Sequence, residues 1–211
     1  MLFRSIFTAE VSGSDPPAVD TSTIQQLTTT GRFFHPDLSP NGETVAYRNT
    51  TGDTVGVWLT PVDGSTRRSF FAYGGTPDWF PDGKRLLYPR DGEIWVDFSN
   101  RSTAERILSN LSGVIGSPTV SPTGDEIGFY TETSEGPTAL YVIGSAGTHF
   151  RQISPPFSYA LDWSPDGERL VFLRWGVNEN HDFPGSGHLW TIRRDGSDLR
   201  QITFPSRNPL N

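Results

Sequence analysis

Apolar residues fall along this chain in short runs of two or three, each set between polar, Gly- or Pro-bearing segments. Leu86-Leu87-Tyr88 and Leu170-Val171-Phe172 are examples, and Tyr47, Tyr88, Phe129 and Phe172 each stand five residues after a glycine. Runs this short, bounded by Gly and Pro, suit strands covered on both faces rather than amphipathic helices. A second set of apolar triplets follows each run: Val57-Trp58-Leu59, Ile94-Trp95-Val96, Leu140-Tyr141-Val142 and Leu189-Trp190-Thr191. Polar turns come next, at Asp63-Gly64-Ser65, Asn100-Arg101-Ser102, Ala146-Gly147-Thr148 and Asp195-Gly196-Ser197. A further short strand is then expected around Phe70, Leu108, Ile153 and Ile202. The pattern predicts an all-β chain of four-stranded antiparallel units joined by hairpins.

The turns that open the units are nearly identical: Ser39-Pro40-Asn41-Gly42, Phe80-Pro81-Asp82-Gly83, Ser121-Pro122-Thr123-Gly124 and Ser164-Pro165-Asp166-Gly167. Proline presets φ near −65°, a small polar residue follows, and glycine closes the turn. Successive turn glycines are 41, 41 and 43 residues apart. Propeller blades of the WD type repeat at about 40–45 residues, whereas ankyrin and tetratricopeptide units repeat at about 33–34. Four unrelated hairpins in a sandwich would not explain four turns in register.

With Leu161-Asp162-Trp163-Ser164-Pro165-Asp166-Gly167 and Arg200-Gln201-Ile202-Thr203 as its best matches, the repeat resembles the TolB-like WD-type β-propeller family. The resemblance runs from about Ile24 to Thr203 and extends to the N-terminal propellers of dipeptidyl peptidase IV and prolyl oligopeptidase-like peptidases. It implies a β-propeller with four four-stranded antiparallel blades, at about 23–72, 73–109, 110–153 and 154–204, as part of a six- to eight-bladed ring. Residues 1–22 read as a flexible lead-in, and 205–211 as a tail or the start of a further blade. Gln25-Gln26-Leu27-Thr28 looks like a fourth strand with no blade before it, so the array is expected to be incomplete. Terminal blades exposed in this way would favour self-association.

Composition narrows the function classes. A net charge of −7 and a pI near 5.0 disfavour nucleic-acid binding, which needs a basic surface. Aromatic residues make up 12% of the chain, with 22 Gly and 17 Pro, a mixture that suits strands and turns and penalises helices. The absence of cysteine excludes disulfides, thiol catalysis and Cys-ligated zinc. Met1-Leu2-Phe3-Arg4-Ser5-Ile6-Phe7 is too short for a signal-peptide core, and no run approaches a membrane span. The resemblance to TolB nevertheless implies a periplasmic or other extracytoplasmic setting.

Candidate chemistry is sparse. A serine hydrolase would need a Gly-x-Ser-x-Gly elbow on an α/β domain, and no such pentapeptide occurs. His35 and His149 stand alone and read as structural or surface residues. His181, Asp182 and His188 could supply zinc ligands, but the intervening Phe183-Pro184-Gly185-Ser186-Gly187 does not fix their geometry, so an ordinary polar loop is preferred. Asp37, Asp78 and Asp162 recur in the first strands, with Thr119 in their place in the third unit. Such a ring of acids could hold a cation; capping of nearby backbone groups is the simpler reading. Asn49-Thr50-Thr51, Asn100-Arg101-Ser102 and Asn110-Leu111-Ser112 match glycosylation sequons and read as chance matches. No catalytic, cofactor-binding or metal-binding residue is assigned.

Strand order places the first–second and third–fourth turns on one face and the second–third loops on the other. The second–third loops are unequal: Asp91-Gly92 in unit two, Glu132 to Pro137 in unit three and Gly176 to Gly187 in unit four. Unequal loops on a rigid scaffold describe a binding surface. The expected function is non-catalytic binding of a protein or peptide, with Arg174, Trp175, Asn178, His181, Asp182, Phe183 and His188 as candidate contacts. A peptidase propeller that gates substrate access to a hydrolase domain is the alternative.

Overall fold

A computed structural model describes residues 6–11, 19–28, 32–51, 55–63, 65, 68–69, 74–100, 104–109, 113–134, 136–175 and 187–203. Every regular element among them is a strand: β1 (Phe7–Val11), β2 (Val19–Gln26), β3 (Phe33–Leu38), β4 (Thr44–Asn49), β5 (Gly56–Pro61) and β6 (Arg68–Ser69). These are followed by β7 (Asp78–Trp79), β8 (Arg85–Arg90), β9 (Glu93–Phe98), β10 (Ala104–Leu108), β11 (Val114–Val120) and β12 (Glu126–Thr133). The last six are β13 (Gly136–Gly144), β14 (Arg151–Gln152), β15 (Ser158–Trp163), β16 (Arg169–Trp175), β17 (Gly187–Arg193) and β18 (Arg200–Gln201). Four sheets have four strands each in sequential order, β3 to β6, β7 to β10, β11 to β14 and β15 to β18, while β1 and β2 form a sheet of two. The pairings within them are antiparallel, as the four-strand pattern requires. No helix among the described residues is long and apolar enough to cross a membrane, which leaves β-barrel spanning unaddressed.

The opening turn of each repeat is one device built four times. The Gly42, Gly83, Gly124 and Gly167 N–H groups donate to the carbonyls of Ser39, Phe80, Ser121 and Ser164 at 2.8–2.9 Å. Their φ values of 74°, 65°, 75° and 71° lie in the left-handed region, which glycine enters without steric cost. Where serine opens the turn, its hydroxyl also accepts from the backbone five residues on, at Thr44 (2.9 Å), Glu126 (3.1 Å) and Arg169 (3.0 Å). Repeat two has Phe80 instead and compensates: Asp82 Oδ1 accepts from the Arg85 N–H at 3.0 Å, and the Arg85 guanidinium covers the Phe80 ring at 4.1 Å.

A second device closes the outer edge. In the Gln-Ile-Ser/Thr segments of repeats three and four, the Ile153 and Ile202 N–H groups donate to Leu140 and Leu189 carbonyls at 2.9 and 2.8 Å. The Ser154 and Thr203 hydroxyls accept from Leu140 and Leu189 N–H groups, each at 2.8 Å. The Gln152 and Gln201 amides then reach the carbonyls of Ser154 and Thr203.

The chain divides into two compact units, Met1–Arg90 with Val96–Ala104, and Asp91–Trp95 with Glu105–Asn211. In the first, Ile6, Leu27, Phe33, Val45 and Tyr47 form a core flanked by Trp58 and Val62. In the second, Leu140, Val142 and Ile153 of repeat three interlock with Leu161, Trp163, Leu170, Phe172 and Ile192 of repeat four. Gly128 permits that approach, since a Cβ there would meet Leu161 Cδ1 at 2.7 Å.

Within residues 1–22, β1 and the start of β2 are described, while 1–5 and 12–18 lie outside the described residues. The fourth-strand sequence at Gln25-Gln26-Leu27-Thr28 pairs with β1, which stands where a third strand would.

Candidate binding face

Repeat four places its second–third hairpin on a fully paired ladder. From Arg169↔Arg193 to Trp175↔Gly187, every step of β16 against β17 is in register. Arg174 lies opposite His188 and also opposite Ser158 of β15. The half-buried Arg174 side chain donates from Nε to the Pro156 carbonyl at 3.4 Å, and its guanidinium carbon lies 5.4 Å from the Trp190 ring centroid. A guanidinium within about 6 Å of an indole face is held by cation–π attraction. His188 is half-buried, Leu189 beside it is 38% exposed, and Ile202, bonded to Leu189 across the edge, is 50% exposed. A cation, an imidazole and exposed aliphatic groups therefore share one strand end, a mixture that fits protein contact. Trp175 ends β16 opposite Gly187, while Asn178, His181, Asp182 and Phe183 lie outside the described residues.

The other second–third hairpins are shorter. Asp91 and Gly92, with φ of 51° and 77°, form the tight two-residue turn that hairpins favour. Thr133 pairs with Gly136 at the end of repeat three. Below the Asp91-Gly92 turn, Glu93 accepts from Trp95 Nε1 at 3.1 Å and pairs with Arg106 at 3.0 Å.

Two of the three first-strand acids, Asp37 and Asp162, accept from backbone groups, and Asp78 lies in β7. Asp37 Oδ2 accepts from the Trp79 N–H at 2.7 Å, linking repeat one to repeat two. Asp162 Oδ1 accepts from the adjacent Trp163 N–H at 2.8 Å. Two residues before Asp37, Thr119 and Asp162 the chain bulges through His35, Ser117 and Ala160, whose φ values are 50°, 31° and 50°. His35 is exposed on that bulge, and His149 is an exposed turn residue whose Nδ1 lies 3.0 Å from Thr148 Oγ1.

No family model matches the chain. An uncharacterized protein of Agrobacterium fabrum is 29% identical over 180 residues, covering 63% of this chain and 61% of that protein. Tricorn protease homolog 1 of Streptomyces coelicolor is 26% identical over 192 residues, covering 80% of this chain and 17% of that protein. The chain thus spans less than two thirds of the length of either relative. Among solved structures, TolB from Acinetobacter baumannii superposes with a TM-score of 0.68 at 19% identity, over 89% of this chain and 48% of that one. Structures of the tricorn protease and of an acylaminoacyl peptidase are also neighbours.

The chain has the β-propeller fold. Its four complete sheets are propeller blades, a fold it shares with the TolB structures.

A charged seam between blades three and four has no counterpart in the sequence reading. Arg151 Nη2 donates to Glu126 Oε1 at 2.7 Å and to the Arg194 carbonyl at 2.8 Å. Arg194 in turn pairs with Asp125 at 2.8 Å and with Glu126 at 3.0 Å. The Thr123 hydroxyl holds the Asp125 carboxyl well below the usual carboxylate range; burial opposes the shift, and Arg194 and Ser121 add to it. Glu126 is 11% exposed at the centre of this seam, which joins propeller blades three and four. The one sequence signal for it was the acidic pair directly after Gly124.

Proposed function

We propose that this chain is a non-catalytic propeller module that binds a protein or peptide, a TolB-like scaffold within a larger ring of six to eight blades. The observation that carries the reading is the blade-four strand end, where Arg174 stands opposite His188 and the neighbouring Leu189 is exposed on the other face, below the longest second–third connection. Arg174, Trp175, Asn178, His181, Asp182, Phe183 and His188 are the proposed contacts. An extracytoplasmic setting follows the likeness to TolB.

The test replaces residues 176–186 by Asp-Gly, the connection that blade two already uses between the same two strands. Cutting eleven loop residues to two lowers the closure cost by roughly 1.5 kcal/mol, so the fold is expected to survive. Peptides selected on the unmodified chain should lose binding to this variant and to Arg174→Ala/His188→Ala, with no fall in unfolding midpoint. Equal binding to the shortened chain would sink the proposal.

The likeness to tricorn protease homolog 1 and to peptidase structures supports a second reading, a propeller that restricts substrate access to a hydrolase domain. Reading the gene on both sides of these codons decides it. A Gly-x-Ser-x-Gly elbow in frame favours the gate, and further propeller repeats with no hydrolase favour the scaffold.

A further inference from the structure

The joint between blades one and two lacks the charged filling of the joint between blades three and four. Register fixes the equivalence: Thr44 pairs with Pro61 where Glu126 pairs with Gly144, and each N–H is bonded to the serine that opens its turn. The Ser99 N–H donates to the Lys84 carbonyl just as the Arg194 N–H donates to that of Glu168. Thr44 and Ser99 therefore stand where Glu126 and Arg194 form an ion pair at 3.0 Å. Each exchange puts a short hydroxyl side chain in place of a long charged one. The two blades stay close at their opening turns, where a Cβ on Gly83 would meet Pro40 Cδ at 3.9 Å.

The space left between them is a cavity of about 300 Å³, at the low end of the range for small-molecule sites. Asn41, Thr44 and Ser99 supply amide and hydroxyl groups to its lining, and Leu59, Pro61 and Trp79 supply apolar surface. Thr44 and Ser99 are half-buried, whereas Trp79 is only 7% exposed. Among the described residues the Trp79 Nε1–H has no hydrogen-bond partner. Its counterpart in blade four, Trp163 Nε1, donates to the Thr119 carbonyl at 3.3 Å. Buried donors are normally paired, and leaving one unpaired is costly. An unspent indole N–H therefore belongs to a residue that lines the same cavity as the two short hydroxyl side chains.

We propose that this cavity is a binding site for a small, uncharged, polyhydroxylated ring of monosaccharide size. The Trp79 Nε1–H donates to one of its oxygens, and the Thr44 and Ser99 hydroxyls, which can each donate and accept, pair with its hydroxyl groups. The C–H faces of such a ring pack against Leu59, Pro61 and the indole. An ionic guest is disfavoured, because the described lining groups are neutral and a charge taken out of water needs an opposite charge beside it. The site is separate from the strand end of blade four and does not depend on the role proposed for it.

The test uses the full chain, isotope-labelled at the indole nitrogens of its six tryptophans, with the Trp79 resonance assigned by its loss in Trp79→Phe. Glucose, galactose and myo-inositol are titrated separately, and acetate serves as the charged control. At least one of the three rings should shift the Trp79 indole resonance saturably, with a dissociation constant on the order of millimolar. Thr44→Val keeps the side-chain shape and should weaken that binding about tenfold. Thr44→Glu/Ser99→Arg rebuilds the filling found between blades three and four, and should abolish binding without lowering the urea midpoint. The proposal is overturned if no ring shifts the resonance even far above millimolar concentration, or if acetate shifts it equally. Unchanged binding in the folded double variant would also overturn it, by placing the ring elsewhere. Should the double variant not fold, Thr44→Val decides alone, and undiminished binding there overturns the proposal.

Discussion

Gly128→Ala adds one methyl group where blade three meets blade four. The new Cβ would lie 2.7 Å from Leu161 Cδ1, 3.1 Å from Leu170 Cδ2 and 3.4 Å from Trp163 Nε1. Leu161 and Trp163 are each 7% exposed and Leu170 is fully buried, so none has open space to retreat into. Overpacking of this kind costs about 1–3 kcal/mol, while alanine's lower unfolded-state entropy returns about 0.4–1 kcal/mol. A net loss of about 1–2 kcal/mol is expected, read as a lower urea midpoint at constant m value. Leu161→Val removes the nearest colliding atom; on its own it should cost about 1 kcal/mol, and in the Gly128→Ala background distinctly less. Additive losses in that double-mutant cycle, or a Gly128→Ala variant as stable as the parent, would refute the account of this joint.

Gly42→Ala separates backbone strain from crowding, because a Cβ there meets nothing within 4 Å while φ is 74°. It should cost about 1 kcal/mol in urea unfolding, and Gly42→Asn less, since asparagine tolerates the left-handed region. Ser154→Ala removes the acceptor of the buried Leu140 N–H, bonded at 2.8 Å, and should cost about 1–3 kcal/mol by the same assay. Acid should destabilise the chain through carboxylates held low in the folded state. Asp125 is held there by Thr123 and Arg194, and Asp166 by Ser164 and the Glu168 N–H. Their contribution is complete above the unfolded value near 4 and is lost as pH falls below it. The unfolding midpoint followed from pH 6 to pH 2.5 should drop below about pH 4, less steeply in Arg194→Met.

The repeats were legible because their marks are local. A Pro-Gly turn and an apolar run five residues later occupy consecutive positions, and backbone geometry alone demands them. β1 was not legible: Phe7-Thr8-Ala9-Glu10-Val11 has no Pro-Gly turn beside it, and its role comes from pairing with Gln25 and Gln26 across an intervening stretch. The seam at Arg151, Glu126 and Arg194 was hidden for a related reason. Its members are 25 and 43 residues apart along the chain, and blade-to-blade packing alone brings them together. Of the proposed contacts, Arg174 and His188 could be placed on one end of blade four from strand order, and the ladder puts them opposite each other. The cation–π contact of Arg174 with Trp190 needed the register as well.

The same contrast locates the parts of the molecule free to carry function. Residues that recur in register are tied to backbone demands: the turn glycines to positive φ, the edge Ser and Thr hydroxyls to an N–H, Asp37 to the Trp79 N–H. Changing any of them costs folding free energy before it could alter a surface. The ladders of blades two and four close without a long second–third connection. Asp91-Gly92 closes β8 onto β9 with two residues, so blade two needs nothing longer, and the ladder of blade four is equally complete at Trp175↔Gly187. The extra residues of blade four are therefore unnecessary for forming their blade. A segment that the ladder does not need for its pairing, joined to it beside Arg174, His188 and exposed Leu189, is where selection for a partner can act without unfolding the propeller.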